Sequence, residues 1–343
     1  MGAAEAVAAE AVAAVADAAE PHVLIHTASG RLTMYRKTLI LLFVAALLCG
    51  TAGIPLANAA PSLDRFFGAQ PQTFTEPSAA IDAFKAKMIA KDVPGLAQII
   101  GLNAEAIAKT EDFDKRLTEL QMATKEKVEV KETKPDRREI LLGNLLWPFP
   151  FPLVKGEKGW QFNTEEGLEE ILARRIGENE LETIETSRNY LLAQQDYASE
   201  DRDDDNVLEF AQKLMSTAGT HDGLFWPADD DGESPAGPFV VEAKIGQTGA
   251  PPDQGYFGYR FRILRGQGDN VAGGRYDYVI NGNMIAGYAL IAWPARYGET
   301  GIKTFLISHH GGVYEKDLGP GTATIVEKIR RFNPDKTWNE VPD

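Results

Sequence analysis

A chain of 343 residues with 44% hydrophobic composition is long enough for two ordinary domains with real cores. Its 50 acidic residues outnumber 35 basic ones, and a net charge of −15 disfavours nucleic acid and anionic lipid as partners. A single cysteine excludes an internal disulfide framework.

Residues 1–33 include AAEAVAAEAVAAVADAAE, an Ala/Val/acidic repeat that cannot form a packed core alone. It precedes a second methionine, Met34, which offers an alternative start that would leave residues 1–33 untranslated. Residues 34–59 have the three parts of a signal peptide. Arg36 and Lys37 form the basic region, Leu39 to Leu48 the apolar run, and Ala57-Asn58-Ala59 the cleavage site. The run is short for a membrane span, and Gly50, Gly53 and Pro55 follow it closely. Leu48 before Cys49 does not suit lipid attachment. After cleavage the chain would keep −14 of its charge, with no cysteine and no transmembrane helix.

Residues 60–78 are rich in Pro and Gln and are expected to be a linker. A small α+β domain is expected over 79–163. Ile81, Phe84, Met88 and Ile89 fall at helical spacing behind Ser78 as N-cap, and Leu96 to Ile100 suggest a second short helix. VEVKE alternates as a strand, and residues 140–155 form a strand pair bent by Pro148, Pro150 and Pro152. Lys158-Gly159 then turns the chain into Trp160-Gln161-Phe162.

The second domain is expected over 164–343, as a long helix packed on an antiparallel sheet. Asn163 and Glu166 read as a capping box for a helix to Arg175, and Gly177 as a break before a second helix over about 180–199. VLEFAQKLM has the spacing of a short amphipathic helix. Strands follow in YFGYRFRIL, on either side of Asn281-Gly282, and around a turn at Gly311-Gly312. A last helix is expected from about Gly321 to Phe332. The fold class is α+β.

The acidic stretch DRDDDNVLE is the first candidate site. Asp201, Asp203 and Asp205 match positions 1, 3 and 5 of a calcium loop, Val207 could offer its carbonyl at 7, and Glu209 fits 9. Asn206 occupies the sixth position, where a left-handed residue is needed, but Gln212 stands where the closing glutamate belongs. The competing reading has Asp205 or Asn206 capping the VLEFAQKLM helix. Asp229, Asp230, Asp231 and Glu233 form a second acidic cluster, read as a solvated loop. His309 and His310, if adjacent strand residues, are expected on opposite faces and so not in one site, and a hairpin corner ending in Gly311-Gly312 is the expected explanation of the pair. Arg260, Arg262 and Arg265 alternate with aromatics and could grip an anionic or glycan ligand, or simply form the wet side of a sheet.

WPFPFPLVK, RRIGENE, YASEDRDDDNVLEFAQ and VYEKDL before GPGTATI, in this order, resemble a family of exported bacterial proteins catalogued as domain of unknown function 2950. That family implies no activity. Residues 180–340, with a helix ending at Gln194 to Tyr197, an acidic loop and then GYFGYRF, GYALIAWPARYGETG and TFLISHHGGVYE, are similar to type IV pilin and pseudopilin heads. The expected function is an exported, periplasmic or extracellular, non-catalytic binding or assembly accessory with an envelope protein or glycan as partner. The alternatives are an envelope hydrolase using paired carboxylates and a minor pseudopilin.

Overall fold

The computed structural model describes residues 63–110, 113–202, 205–228, 232–236 and 255–342. The signal peptide and the extension before it lie outside these, as do Asp203, Asp204 and Asp229 to Asp231. The described residues belong to one compact unit, Leu56–Asp343, and its fold class is α+β. Among them no helix is long and apolar enough to cross a membrane.

Four helices open the fold: α1 (Pro77–Ala90), α2 (Val93–Ile100), α3 (Ala104–Ala108) and α4 (Phe113–Glu126). Helix α1 starts one residue before the expected cap, because Pro77 takes the first turn and Glu76 the cap position. Its Ala80, Phe84 and Met88 recur every four residues and are buried. They face an antiparallel sheet of β1 (Val128–Lys134), β2 (Arg137–Leu142), β3 (Trp147–Pro148), β4 (Leu153–Gly156) and β5 (Gly159–Phe162), in the order β1-β2-β4-β5 with β3 also on β2. The Phe84 ring lies 4.6 Å from that of Phe149 and 6.0 Å from that of Phe162. Residues expected as linker are laid on this core: Phe67 bridges Leu102, Phe74 bridges Trp160, and Leu63, Phe66 and Phe74 pack against the buried cluster.

Helix α5 (Thr164–Tyr197) runs unbroken for 34 residues, so the expected break at Gly177 does not occur. A lone glycine costs a helix only about 1 kcal/mol. Anchors on both sides outweigh that. At the N-terminus, Glu166 both reciprocates the Asn163 cap and pairs with Arg137 through two hydrogen bonds of 2.9 and 2.5 Å. Gly167 lets the helix touch Phe151, where a Cβ would come within 1.9 Å of the ring. Beyond Gly177, Asn179 donates to Thr300 O and Glu180 accepts from two backbone N–H groups of the second sheet.

That second sheet runs β14-β13-β12-β11-β6 and is antiparallel. Its strands are β6 (Tyr259–Leu264), β11 (Ala289–Pro294), β12 (Lys303–Ser308), β13 (Val313–Asp317) and β14 (Asn339–Glu340). Between β6 and β11 come two small pairs: β7 (Gly266–Gln267) with β8 (Tyr276–Asp277), and β9 (Val279–Ile280) with β10 (Asn283–Met284). Asn281 and Gly282, both at positive φ, turn the latter as the dipeptide demands. Tyr190, Ala193 and Tyr197 of α5 share a buried cluster with Leu290, Phe305 and Ile307 of the sheet. Gly301 is needed there, since a Cβ would meet the Tyr259 hydroxyl at 2.1 Å and its ring at 2.4 Å.

The last helix, α6 (Thr322–Lys328), stops short of the expected Phe332. Arg262 donates to the carbonyls of Val326 and Ile329, and the backbone of Phe332 pairs with Gly266 and Gly268 instead of continuing the helix.

Candidate functional site

The acidic turn follows α5 directly. Asp201 accepts from Asn206 N at 2.8 Å, and Asp205 accepts from Val207 N at 2.8 Å and from the Asn283 amide at 2.5 Å. Glu209 accepts from Met284 N at 2.7 Å. Asn206 has φ 66°, the left-handed conformation a sixth loop position requires. The Oδ1 atom of Asp201 is buried and has no described hydrogen-bond partner. Among the described residues no three His, Cys, Asp or Glu side chains converge as a metal-binding group.

No helix follows for Asp205 or Asn206 to cap, because VLEFAQKLM is irregular and extended. Its backbone groups are taken by other elements. Phe210 N donates to Met284 O, Ala211 exchanges hydrogen bonds with the Gln194 side chain, and Leu224 N donates to Lys213 O. A helix would have to give up all of these. Lys213 closes the following loop by pairing with Asp222, which also accepts from the N–H and hydroxyl of Thr217. Burial acts to raise the Asp222 carboxyl, but Lys213 and these donors prevail and hold it well below the usual carboxylate range.

His309 and His310 sit in the turn after β12 rather than in a strand, so the opposite-face expectation fails. Their rings stack with centroids 4.1 Å apart. His309 also packs against Tyr278 and Tyr288, and burial together with His310 pushes it below the ordinary histidine value. The hydroxyls of Tyr278 and Tyr288 reach Gln267 and Leu191 O, at 3.3 and 3.4 Å.

Of the three arginines marked in the sequence, Arg262 and Arg265 come to one opening, and Arg260 is not among the residues that line it. A groove of about 530 Å³ is lined by Phe261, Arg262, Ile263, Leu264 and Arg265, together with Gln212, Leu214 and Arg330. Side chains of a strand alternate between faces, so a groove lined by five consecutive residues runs along the backbone edge. β6 ends the sheet order, which makes that edge an outer one. Arg262 is held against the end of α6 and over the Trp293 ring at 5.6 Å. Burial and the neighbouring Arg330 both push its guanidinium below the usual arginine value. No described carboxylate forms an ion pair with Arg265 or Arg330. Three guanidinium groups, none of them in an ion pair among the described residues, thus share one opening in an acidic protein. Arginine alternation marked Arg262 and Arg265 in the sequence, whereas Arg330, 65 positions further on, carried no such signal.

A protein-family model described as "Protein of unknown function (DUF2950)" matches residues 71–341. No curated protein and no solved structure matches the chain.

Proposed function

The chain belongs to the DUF2950 family, and on that footing we propose that it is an exported, non-catalytic accessory of the cell envelope that binds an anionic partner. The observation that carries this is the arginine-lined groove beside β6, with Arg265 and Arg330 open to a ligand in a chain of net charge −15. Guanidinium groups suit carboxylate, uronate and phosphate by planar, paired hydrogen bonding. Export is supported by the basic, apolar and small-residue segments of residues 34–59. An assembly role of the kind pilin heads play draws its support from the long helix on an antiparallel sheet.

The test is fractionation of producing cells, N-terminal sequencing of the exported form, and its retention on immobilised polygalacturonate and polyglutamate. A start at Ala60, with retention lost in Arg265→Glu/Arg330→Glu, agrees with the proposal. An intracellular protein, or retention that ignores the two arginines, refutes it.

A structural calcium ion in the acidic turn is a second reading, favoured by left-handed Asn206 and by the partnerless Asp201 Oδ1. Asp201, Asp203, Asp205, the Val207 carbonyl and Glu209 would hold it. Calcium would supply there a hard cation that relieves carboxylate repulsion and fixes the turn.

A further inference from the structure

Which backbone groups of β6 face the groove follows from its ends. Tyr259 exchanges hydrogen bonds with Tyr256, N to O at 2.8 Å and O from N at 2.6 Å, on the side away from β11. In an antiparallel ladder the two backbone groups of one residue point the same way and alternate residues point oppositely. Phe261, Ile263 and Arg265 therefore present their N–H and C=O outward, as Tyr259 does. The pattern holds at the far end, where Arg265 O accepts from Tyr278 N at 2.9 Å. Between these occupied ends, the outward groups of Phe261 and Ile263 have no protein partner among the described residues. Among the described residues they form a short open edge inside the groove, with guanidinium groups along it.

We propose that this edge captures an acidic, extended polypeptide segment, which adds as a short strand to Phe261 and Ile263 and sets its carboxylates against Arg265 and Arg330. This rests on the anion-binding reading above and names its ligand class. Strand addition gives affinity through main-chain hydrogen bonds and selectivity through alternate side chains. The groove offers both: open backbone at two alternate residues, apolar contact from Leu214, and cations in its lining. A second copy of the chain fits poorly. Antiparallel pairing of two β6 strands through Phe261 and Ile263 would set Arg262 against its own counterpart with further arginines close by, a device that keeps edges apart. A uronate polymer would answer the charges but make no use of the ladder geometry of the outward Phe261 and Ile263 backbone groups.

The experiment is backbone hydrogen exchange of the purified protein with an alternating Glu–Val peptide about five residues long, the length of a typical strand. Its counterparts are a Glu–Pro peptide of equal charge, a Lys–Val peptide and polygalacturonate. The expected result is slowed exchange at Phe261 and Ile263 with Glu–Val alone, and a Kd weakened at least about tenfold in Arg330→Gln, an exposed position expected to leave the melting temperature unchanged. Equal binding of Glu–Val and Glu–Pro without slowed β6 amides overturns strand addition while leaving anion binding intact. Binding of no anion overturns both. Slowed exchange that depends on protein concentration rather than on peptide assigns the edge to a second copy and likewise overturns the proposal.

Discussion

Gln194 and Ala211 exchange two hydrogen bonds, the side-chain amide donating to Ala211 O at 2.9 Å and its oxygen accepting from Ala211 N at 2.8 Å. Gln194 is fully buried, and its amide also donates to the Tyr190 hydroxyl. One side chain of α5 thereby replaces the partner that a neighbouring strand would give to Ala211. Gln194→Leu leaves a buried N–H and C=O unpaired, at about 1–3 kcal/mol each before relaxation. Denaturant unfolding should show a loss of about 2 kcal/mol or more, and a loss under about 0.5 kcal/mol would contradict this role.

Glu180 makes the corresponding tie farther up the helix. Its Oε1 accepts from Ile302 N and Lys303 N, both at 2.9 Å. Glu180→Ala should destabilise the protein by about 2 kcal/mol, because hydrogen bonds to a charged group contribute about 1.5–3 kcal/mol. Glu180→Gln keeps one acceptor and should recover part of the loss. Glu180→Ala within about 0.5 kcal/mol of the wild type would show that the tie contributes little.

Acid should weaken the histidine corner. His309 is pushed below the ordinary value in the folded state, first by burial and then by His310, while Tyr278 and Tyr288 enclose it. Below about pH 6.5 the unfolded chain takes up this proton and the folded one resists it. Stability from this group is therefore full at neutral pH and declines as pH falls through the unfolded value toward the lower folded one. His309→Gln should flatten the stability curve between about pH 7 and pH 5. An unchanged slope would assign the acid sensitivity elsewhere.

Calcium bound in the acidic turn would stabilise the native state by roughly 2.7 kcal/mol at a hundredfold excess over its dissociation constant. The calcium reading expects thermal unfolding to shift upward with calcium relative to chelator, and Asp201→Asn/Asp205→Asn to abolish the shift. Superimposable curves contradict it and leave the turn held by Asn206 N, Val207 N and Asn283 alone.

Where local pattern and tertiary contacts agree, the fold was readable from residues alone. The strand in YFGYRFRIL, the Asn281-Gly282 turn and the Asn163–Glu166 cap all appear as expected. Helix α4 was not foreseen, although Phe113, Leu117, Leu120 and Ala123 stand at helical spacing and pack on the first core, because mostly charged and polar residues fill the positions between them. VLEFAQKLM misled in the opposite direction. Its helical spacing is real, but Gln194, Met284 and Leu224 claim its backbone, and such long-range partners leave no local trace. The groove was half legible, because the arginines of β6 are neighbours in sequence while Arg330 joins them only through the turn after α6.

The central claim is that this groove binds anions through Arg265 and Arg330. Calorimetric titration of the purified protein with polyglutamate, at low and physiological ionic strength, tests it most directly. The account predicts saturable binding that weakens with salt and is lost in Arg265→Glu/Arg330→Glu, while a control reversal at exposed Lys158 binds as the wild type does. Equal affinity in the groove variant and the control would contradict it.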